Sequence, residues 1–288
     1  MNYLSLLGDS PGWLEATAGV VGLCVGSFLN VVIYRLPLMM QAQWRAECAS
    51  LEGRTLPEEP AFNLSTPRSR CPACGTPITA LQNIPVVSWI ALRGKCAACK
   101  APIRLRYPAI ELASGALAVF LAAHFGYSAA LATALVFAWA LLALTFIDLD
   151  TQLLPDDITL PLLWLGLLAN SFGIYTDLRS AVLGAVAGYM VLWLVYWGFR
   201  LLAKKEGMGY GDFKLLAAIG AWTGWQVLPA VILVAAGLGA VLGSLSLWLA
   251  RKGRETPIPF GPYLALGGIV GLVWGRAIIT AWLGRFPG

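Results

Sequence analysis

The chain has 288 residues, of which 58% are hydrophobic and only 12% are charged, and its net charge is +5. Soluble domains carry about 25% charged residues, so this composition excludes an ordinary soluble domain and indicates a polytopic membrane protein. The excess of basic residues bears on orientation in the bilayer. The sequence has no basic and aromatic stripe that would indicate a nucleic-acid partner.

Eight apolar segments predict an all-α membrane protein with about eight transmembrane helices. The first covers about 16–34, and residues 1–17 lack the basic start of a signal peptide, so we expect this helix to be retained. Most segments have the roughly 20 residues needed to cross about 30 Å of hydrocarbon. The other seven lie at about 108–124, 129–147, 158–175, 180–201, 212–224, 227–249 and 260–283, and the 212–224 segment is the shortest.

The polar segment 35–107 separates the first apolar segment from the others. It contains eight prolines and ten basic residues, and it alone is long enough to form a domain outside the bilayer. We therefore predict three parts: a first transmembrane helix at 1–34, a polar domain at 35–107, and a seven-helix membrane domain at 108–288.

The distribution of basic residues predicts the orientation. With the N-terminus outside the cytoplasm, the segments 35–107, 148–157, 200–214 and 250–259 face the cytoplasm and hold 17 of the 20 basic residues. The others are Arg179, Arg276 and Arg285. Because basic residues concentrate on the cytoplasmic side of membrane proteins, the sequence favours this orientation.

Three alternating glycines, Gly207, Gly209 and Gly211, come directly before Asp212 and an apolar run. Glycine inside a helix costs about 1 kcal/mol relative to alanine, so this stretch is predicted to be a loop. A carboxylate at the mouth of a membrane helix is costly and suggests a functional site. Taken alone, Asp212 is better explained as an N-cap or a first-turn acid, and the second carboxylate described next changes that balance.

A second carboxylate, Asp148, ends the third apolar segment on the same predicted face of the membrane as Asp212. Two close carboxyl groups readily share one proton. The ionised carboxylate can take a proton from water while its protonated partner donates to a scissile carbonyl. The single histidine, His124, falls at the opposite face, so a Ser–His or Cys–His pair beside Asp212 is not expected.

Other interpretations of these acids stay open at this point. Asp150, Asp156 and Asp157 could be solvated loop acids or helix caps. A transporter could use paired aspartates to bind a cation or relay protons, although it predicts acids near mid-bilayer and repeated halves. A metal-organised scaffold without chemistry would use the glycines only as a hinge.

Four cysteines form two Cys-x-x-Cys pairs, separated by 21 residues, in the polar segment. Such pairs predict a tetrahedral zinc site, and four thiolates leave no open position for water, so the zinc would be structural. Disulfides or free thiols are the competing interpretations, and a cytosolic location disfavours disulfides. The predicted ligands are Cys71, Cys74, Cys96 and Cys99.

In combination, these features resemble the type IV prepilin peptidases, a bifunctional bacterial family of GxGD aspartic membrane proteases. The resemblance implies that Asp148 and Asp212 are the catalytic pair. We then expect Gly209 and Gly211 to set Asp212 beside Asp148 and to leave bare backbone for an extended substrate. The matching stretches are the two cysteine pairs and residues 26–37, 84–89, 92–96, 106–111, 147–156 and 209–212.

The resemblance also implies the substrates and location. It implies a multi-pass protein of the bacterial inner membrane that removes the basic leader from prepilins and type II secretion pseudopilins at the cytoplasmic face. It further implies N-methylation of the new terminal residue, with S-adenosylmethionine as methyl donor. No G-x-G-x-x-G follows a strand, so Gly94, Lys95 and Glu111 are donor-site candidates only through the family match. A turn, a solvated charge and a helix-start acid are their alternative roles. The particular substrate and the oligomeric state stay open.

Overall fold

The computed structural model describes residue 8 and residues 10–54, 61–204, 208–245 and 259–283. In that part of the chain the regular structure is helical, accompanied by two isolated β-bridges. The chain divides into two compact units, residues 1–131 and 132–288. Sequence predictions for Lys205, Gly207, Arg251, Lys252, Arg254 and Arg285 lie outside the described residues.

The helices are numbered here in chain order. The first unit contains α1 (Pro11–Leu51), a 3-10 turn (Leu81–Asn83), α2 (Val87–Ala91) and α3 (Arg106–Phe125). Most of α4 (Ala129–Thr151) lies in the second unit, and the remaining helices follow it there. These are α5 (Asp156–Ser171), α6 (Leu178–Ala203), α7 (Tyr210–Thr223), α8 (Leu228–Leu238), which continues as a π-helical turn (Gly239–Gly243), and α9 (Gly261–Leu283).

Within the described residues, five helices are long and apolar enough to cross a membrane, namely α1, α3, α4, α6 and α9. The helices α5, α7 and α8 occupy the other three predicted segments but have only 16, 14 and 11 residues. The chain is therefore a multi-pass, all-helical membrane protein by length and composition. The predicted count of eight spans is not confirmed.

The helix α1 is longer than its predicted membrane segment. It continues past Arg35 and through Pro37 to Leu51. Proline inside a helix removes one hydrogen bond, but the residues that follow Pro37 are mostly strong helix formers such as Met, Gln, Ala and Glu. The end of the first apolar segment is therefore not the end of the helix.

In the first unit, α1 packs along α3. The Ser114 hydroxyl donates a 2.6 Å hydrogen bond to the Gly22 carbonyl. The Asn30 side-chain amide donates to the carbonyl of Tyr107 at 3.2 Å. Small and polar residues thus join the two helices at close range, as is typical of helix pairs in lipid.

The short helix α7 lies at the centre of the second unit, where it packs against α5, α6 and α9. From Asp212 to Thr223, every residue of α7 except Lys214 is buried. Its backbone meets that of α6 at Gly220 and Gly184, where a methyl group added to Gly220 would lie 2.2 Å from the Gly184 carbonyl oxygen. The Trp222 indole donates a 2.8 Å hydrogen bond to the Leu162 carbonyl of α5. The helix that begins beside Asp212 is thus held firmly by its neighbours.

Candidate active site

Asp148 lies in the last turn of α4 and is only 5% exposed. Its Oδ2 atom accepts a 2.9 Å hydrogen bond from the backbone N–H of Gly261, the first residue of α9. A methyl group at Gly261 would lie 2.7 Å from the same oxygen. Glycine therefore lets the start of α9 approach and orient the carboxylate.

Asp212 lies in the first turn of α7 and is 7% exposed. Its backbone N–H bonds the carbonyl of Gly209 at 3.3 Å, and Gly209 is the extended residue before the helix. Gly211, directly before Asp212, and Gly261, which bonds Asp148, both pack against the same side chain, Leu154. Two buried carboxylates from separate helices are thus brought to one place.

The turn that follows α4 packs into this site through Leu154. A methyl group at Gly211 would lie 2.8 Å from Leu154 Cβ, and one at Gly261 would lie 3.2 Å from Leu154 Cδ2. Leu154 therefore fills the space between the residue before Asp212 and the residue that bonds Asp148. In contrast, a methyl group at Gly209 would approach only Gly211, with 4.0 Å to its nitrogen. The structure thus gives a packing reason for glycine at 211 but not at 209.

Sequence reasoning missed Gly261 and Leu154 as parts of the site. Gly261 contacts Asp148 across 113 positions of sequence, and no local pattern reports such a distant contact. The only available signal was the stretch Pro259-Phe260-Gly261-Pro262 before the last apolar segment, which reads as a turn and a helix start.

Lys214 forms an ion pair with Asp156, the first residue of α5. Its Nζ lies 2.7 Å from Oδ2 and 2.8 Å from Oδ1 of Asp156. From the sequence, Asp156 could be a solvated loop acid or the cap of the next helix. The N-cap of α5 is instead Pro155, and Asp156 pairs with the lysine of α7.

The four predicted metal-ligating cysteines lie together in the first unit. Their sulfur atoms all lie within 4.8 Å of one another, and Cys71 Sγ is 3.8 Å from Cys99 Sγ. Thiolates about 2.3 Å from one tetrahedral zinc ion lie roughly 3.8 Å apart. All six cysteines of the chain are free, so the cluster could hold a metal ion.

The two cysteine pairs have matching backbone geometry. The N–H of Cys71 bonds the Thr76 carbonyl at 2.9 Å, and the N–H of Cys96 bonds the Ala101 carbonyl at 2.8 Å. Hydrogen bonds with the side chain and backbone of Thr76 lower the pKa of Cys74 to about 6. Against the lowering effect of its backbone hydrogen bond with Ala101, hydrogen bonds with the other thiols of the cluster raise the pKa of Cys99 to about 11. The four thiols therefore do not share one proton affinity, and a metal ion would bind all four as thiolates.

The three methyl-donor candidates have different surroundings. Gly94 is buried at a φ of +66°, and a methyl group there would lie 2.8 Å from the Trp89 ring. Lys95 is exposed and pairs with Pro102 in a β-bridge. Glu111 is 9% exposed and accepts a 2.7 Å hydrogen bond from the backbone N–H of Val86. Gly94 and Glu111 therefore each have a structural role.

Taken together, these observations define a multi-pass helical membrane protein with a buried pair of aspartates and a four-cysteine cluster. Two family models match it: the bacterial peptidase A24 N-terminal domain over residues 20–125, and the type IV leader peptidase family over residues 135–244. The first match includes the four cysteines, and the second includes both aspartates.

Several full-length relatives carry the name prepilin leader peptidase/N-methyltransferase. The chain is 54% identical to one from Stutzerimonas stutzeri over 286 residues, which cover 98% of each chain. It is 52% identical over 289 residues to one from Pseudomonas aeruginosa, covering 100% of this chain and 99% of that protein. It is 53% identical over 269 residues to one from Aeromonas hydrophila, covering 92% of each. No solved structure matches the chain.

The chain therefore belongs to the type IV leader peptidase family, and it is a protease and methyltransferase of that family.

Proposed function

We propose that Asp148 and Asp212 are the catalytic pair of an aspartic endopeptidase that cleaves the leader from type IV prepilins and type II secretion pseudopilins. The single observation that carries this proposal is that two buried carboxylates, from α4 and α7, lie in one region, where Gly211 before Asp212 and Gly261 beside Asp148 both pack against Leu154. An aspartic mechanism requires such a pair, because only one of two adjacent carboxyl groups is readily ionised.

The chemistry follows from the shared proton. The ionised carboxylate takes a proton from a water molecule, whose oxygen attacks the scissile carbonyl carbon, and the protonated carboxyl donates its proton to the carbonyl oxygen. The resulting tetrahedral diol collapses when one carboxylate takes a proton from a diol hydroxyl, the carbon–nitrogen bond breaks, and the other carboxyl gives its proton to the leaving amine. The pair then again holds one proton. The hydrogen bond from Gly261 holds the Asp148 carboxylate in place throughout.

The loop before α7 is proposed to receive the substrate backbone. Gly209 has an extended conformation, with φ −81° and ψ 149°, and it carries no side chain beside the aspartates. An extended peptide can pair with such a segment through main-chain hydrogen bonds. Gly211 contributes differently, because its lack of a side chain admits Leu154.

The second proposed activity is N-methylation of the new terminal residue, for which S-adenosylmethionine would supply the methyl group. The donor site itself is a proposal that rests on Gly94, Lys95 and Glu111. Of these, Glu111 fits the donor best, because a buried carboxylate complements the positive sulfonium. Lys95 is positively charged, as the sulfonium is, so it does not complement the donor. Gly94 already packs against Trp89.

The four cysteines are proposed to bind one structural zinc ion. Their sulfur spacing fits tetrahedral four-thiolate coordination. We also propose that residues 35–107 form a cytosolic zinc-binding domain and that the seven later segments form the peptidase domain in 108–288. Helix α1 would then cross the membrane within residues 1–34 and continue into the cytosolic part.

The proposed location is the bacterial inner membrane, with the N-terminus outside the cytoplasm and the active site at the cytoplasmic face. The basic residues of the sequence support this orientation. All eight apolar helices would then cross or enter the bilayer. A substrate with an apolar helix and a basic leader would present its cleavage site at the same surface.

The experiment that tests this function is incubation of the purified protein in detergent with a prepilin. The peptidase shortens the prepilin by its leader, and labelled methyl groups pass from S-adenosylmethionine to the shortened product. A transporter or a scaffold would leave the prepilin at full length, which would contradict the proposal. Cleavage without methyl transfer would support the proposed peptidase activity and contradict the proposed methylation.

A further inference from the structure

The ion pair between Lys214 and Asp156 connects the two segments of chain that carry the proposed catalytic aspartates. Asp148 leads through the turn at residues 152–155 to Asp156, and Asp156 contacts Lys214 through both carboxylate oxygens. Lys214 lies two residues after Asp212 on α7. The pair therefore connects the two segments that carry the aspartates by a contact between side chains.

Lys214 is directed away from the aspartate that precedes it. Residues two positions apart on a helix do not face each other, so Lys214 and Asp212 project from different sides of α7. Asp212 is buried, whereas the Lys214 side chain is 32% exposed and that of its partner Asp156 is 50% exposed. The lysine thus anchors the start of α7 from the outer side while the aspartate occupies the inner side.

Leu154, in the turn between Asp148 and Asp156, makes a second connection to α7. This residue fills the space between Gly211 and Gly261, and Gly261 bonds Asp148. The turn therefore contacts α7 twice, through Leu154 before Asp212 and through Asp156 after it. Because these contacts lie on either side of Asp212, they restrict both the translation and the rotation of the first turn of α7.

We propose that Asp156 and Lys214 are positioning residues, which hold Asp212 at its working distance from Asp148. This inference rests on the proposed peptidase function. A partly exposed ion pair contributes little to global stability, so its loss affects the geometry of the site more than folding. Catalysis is sensitive to such geometry, because a misplacement of about 1 Å can cost on the order of 100-fold in rate.

The test compares prepilin cleavage by the purified full-length protein and its variants Lys214→Met and Asp156→Asn. Each variant is expected to lower kcat by roughly tenfold or more while KM changes little, because neither side chain is placed at the substrate. Asp157→Asn is the matched control, since it removes the same charge from the neighbouring position. It is expected to keep the wild-type kcat.

The exchanged pair Asp156→Lys with Lys214→Asp separates positioning from a general loss of structure. Restored attraction in the double variant is expected to recover most of the kcat that either single exchange loses, and Lys214→Arg is expected to keep most of the activity. Thermal unfolding in detergent is measured for every variant.

Three results would overturn the inference. These are a wild-type kcat in Lys214→Met, an equal loss in Asp157→Asn, or a loss that follows the unfolding temperature and is not recovered by the exchanged pair. Failure of the wild-type protein to cleave prepilin would instead refute the proposed function before any variant is compared.

Discussion

At the scale of single residues, the site depends on one backbone contact that aims a carboxylate. The N–H of Gly261 bonds the Oδ2 atom of Asp148 at the end of α4 and so orients this buried carboxylate. The contact is possible because Gly261 has no side chain, and the same gap admits Leu154. Glycine at this position is therefore a requirement of the site and not only of the helix start.

Replacing Gly261 with alanine tests this requirement. The new methyl group would lie 2.7 Å from Asp148 Oδ2, so either the carboxylate or the start of α9 must move. We expect kcat for prepilin cleavage to fall by roughly tenfold or more, because catalytic groups tolerate little displacement. Gly237→Ala in α8 is the control, since no atom lies within 4 Å of its new methyl group. Equal activity in the two variants would refute the proposed role of Gly261.

At the scale of elements, α7 can be short because it is enclosed by other helices. Its 14 residues include a continuous buried run from Leu215 to Thr223. The contact between Gly184 and Gly220 brings the backbones of α6 and α7 together. A helix buried on several sides needs no long apolar stripe of its own, since its neighbours provide the packing.

Replacing Gly184 with alanine tests the close approach of α6 and α7. The added methyl group would lie 2.3 Å from the Gly220 carbonyl oxygen, a backbone atom that cannot rotate away. Overpacking typically costs about 1–3 kcal/mol, and we expect a destabilisation in that range or above. Unfolding in detergent measures it against Gly198→Ala, where no atom lies within 4 Å of the added methyl group. An unchanged midpoint in Gly184→Ala would contradict the packing.

The two cysteine pairs form an element that we expect to depend on its metal. Elemental analysis of the purified protein should find one zinc ion per chain. Cys71→Ser should lose it, because three thiolates and a hydroxyl form a much weaker site than four thiolates. Cys48→Ser, outside the cluster, should keep it. Protein that contains no zinc, or a Cys71→Ser variant with full zinc content, would contradict this assignment.

At the scale of the whole molecule, the sequence predicted the features that local composition determines. Hydropathy predicted the membrane class. The alternating glycines directed attention to Asp212, which the structure buries in the first turn of α7, and its catalytic role stays a prediction. The spacing of the cysteines predicted a cluster that the structure brings within 4.8 Å. Each of these signals lies within a short stretch of chain, where composition and spacing are sufficient.

Features that arise from distant contacts were not predictable in this way. The bond from Gly261 to Asp148 and the ion pair of Lys214 with Asp156 join residues 113 and 58 positions apart. Local rules instead offered only a solvated acid or a helix cap for Asp156. The length of α1 was missed for another reason, because the predicted segment ended with its apolar residues at about 34, although good helix formers follow as far as Leu51.

The central claim is that Asp148 and Asp212 act together on the scissile peptide bond. The most direct test is cleavage of a purified prepilin by Asp148→Ala and Asp212→Ala, with Asp157→Ala as the matched control. General acid–base groups contribute about 100-fold to 10,000-fold each to the rate. We therefore predict that the cleavage rate of both catalytic variants falls by about 100-fold or more, while the control cleaves at the wild-type rate. Cleavage at the wild-type rate by either Asp148→Ala or Asp212→Ala would contradict the account.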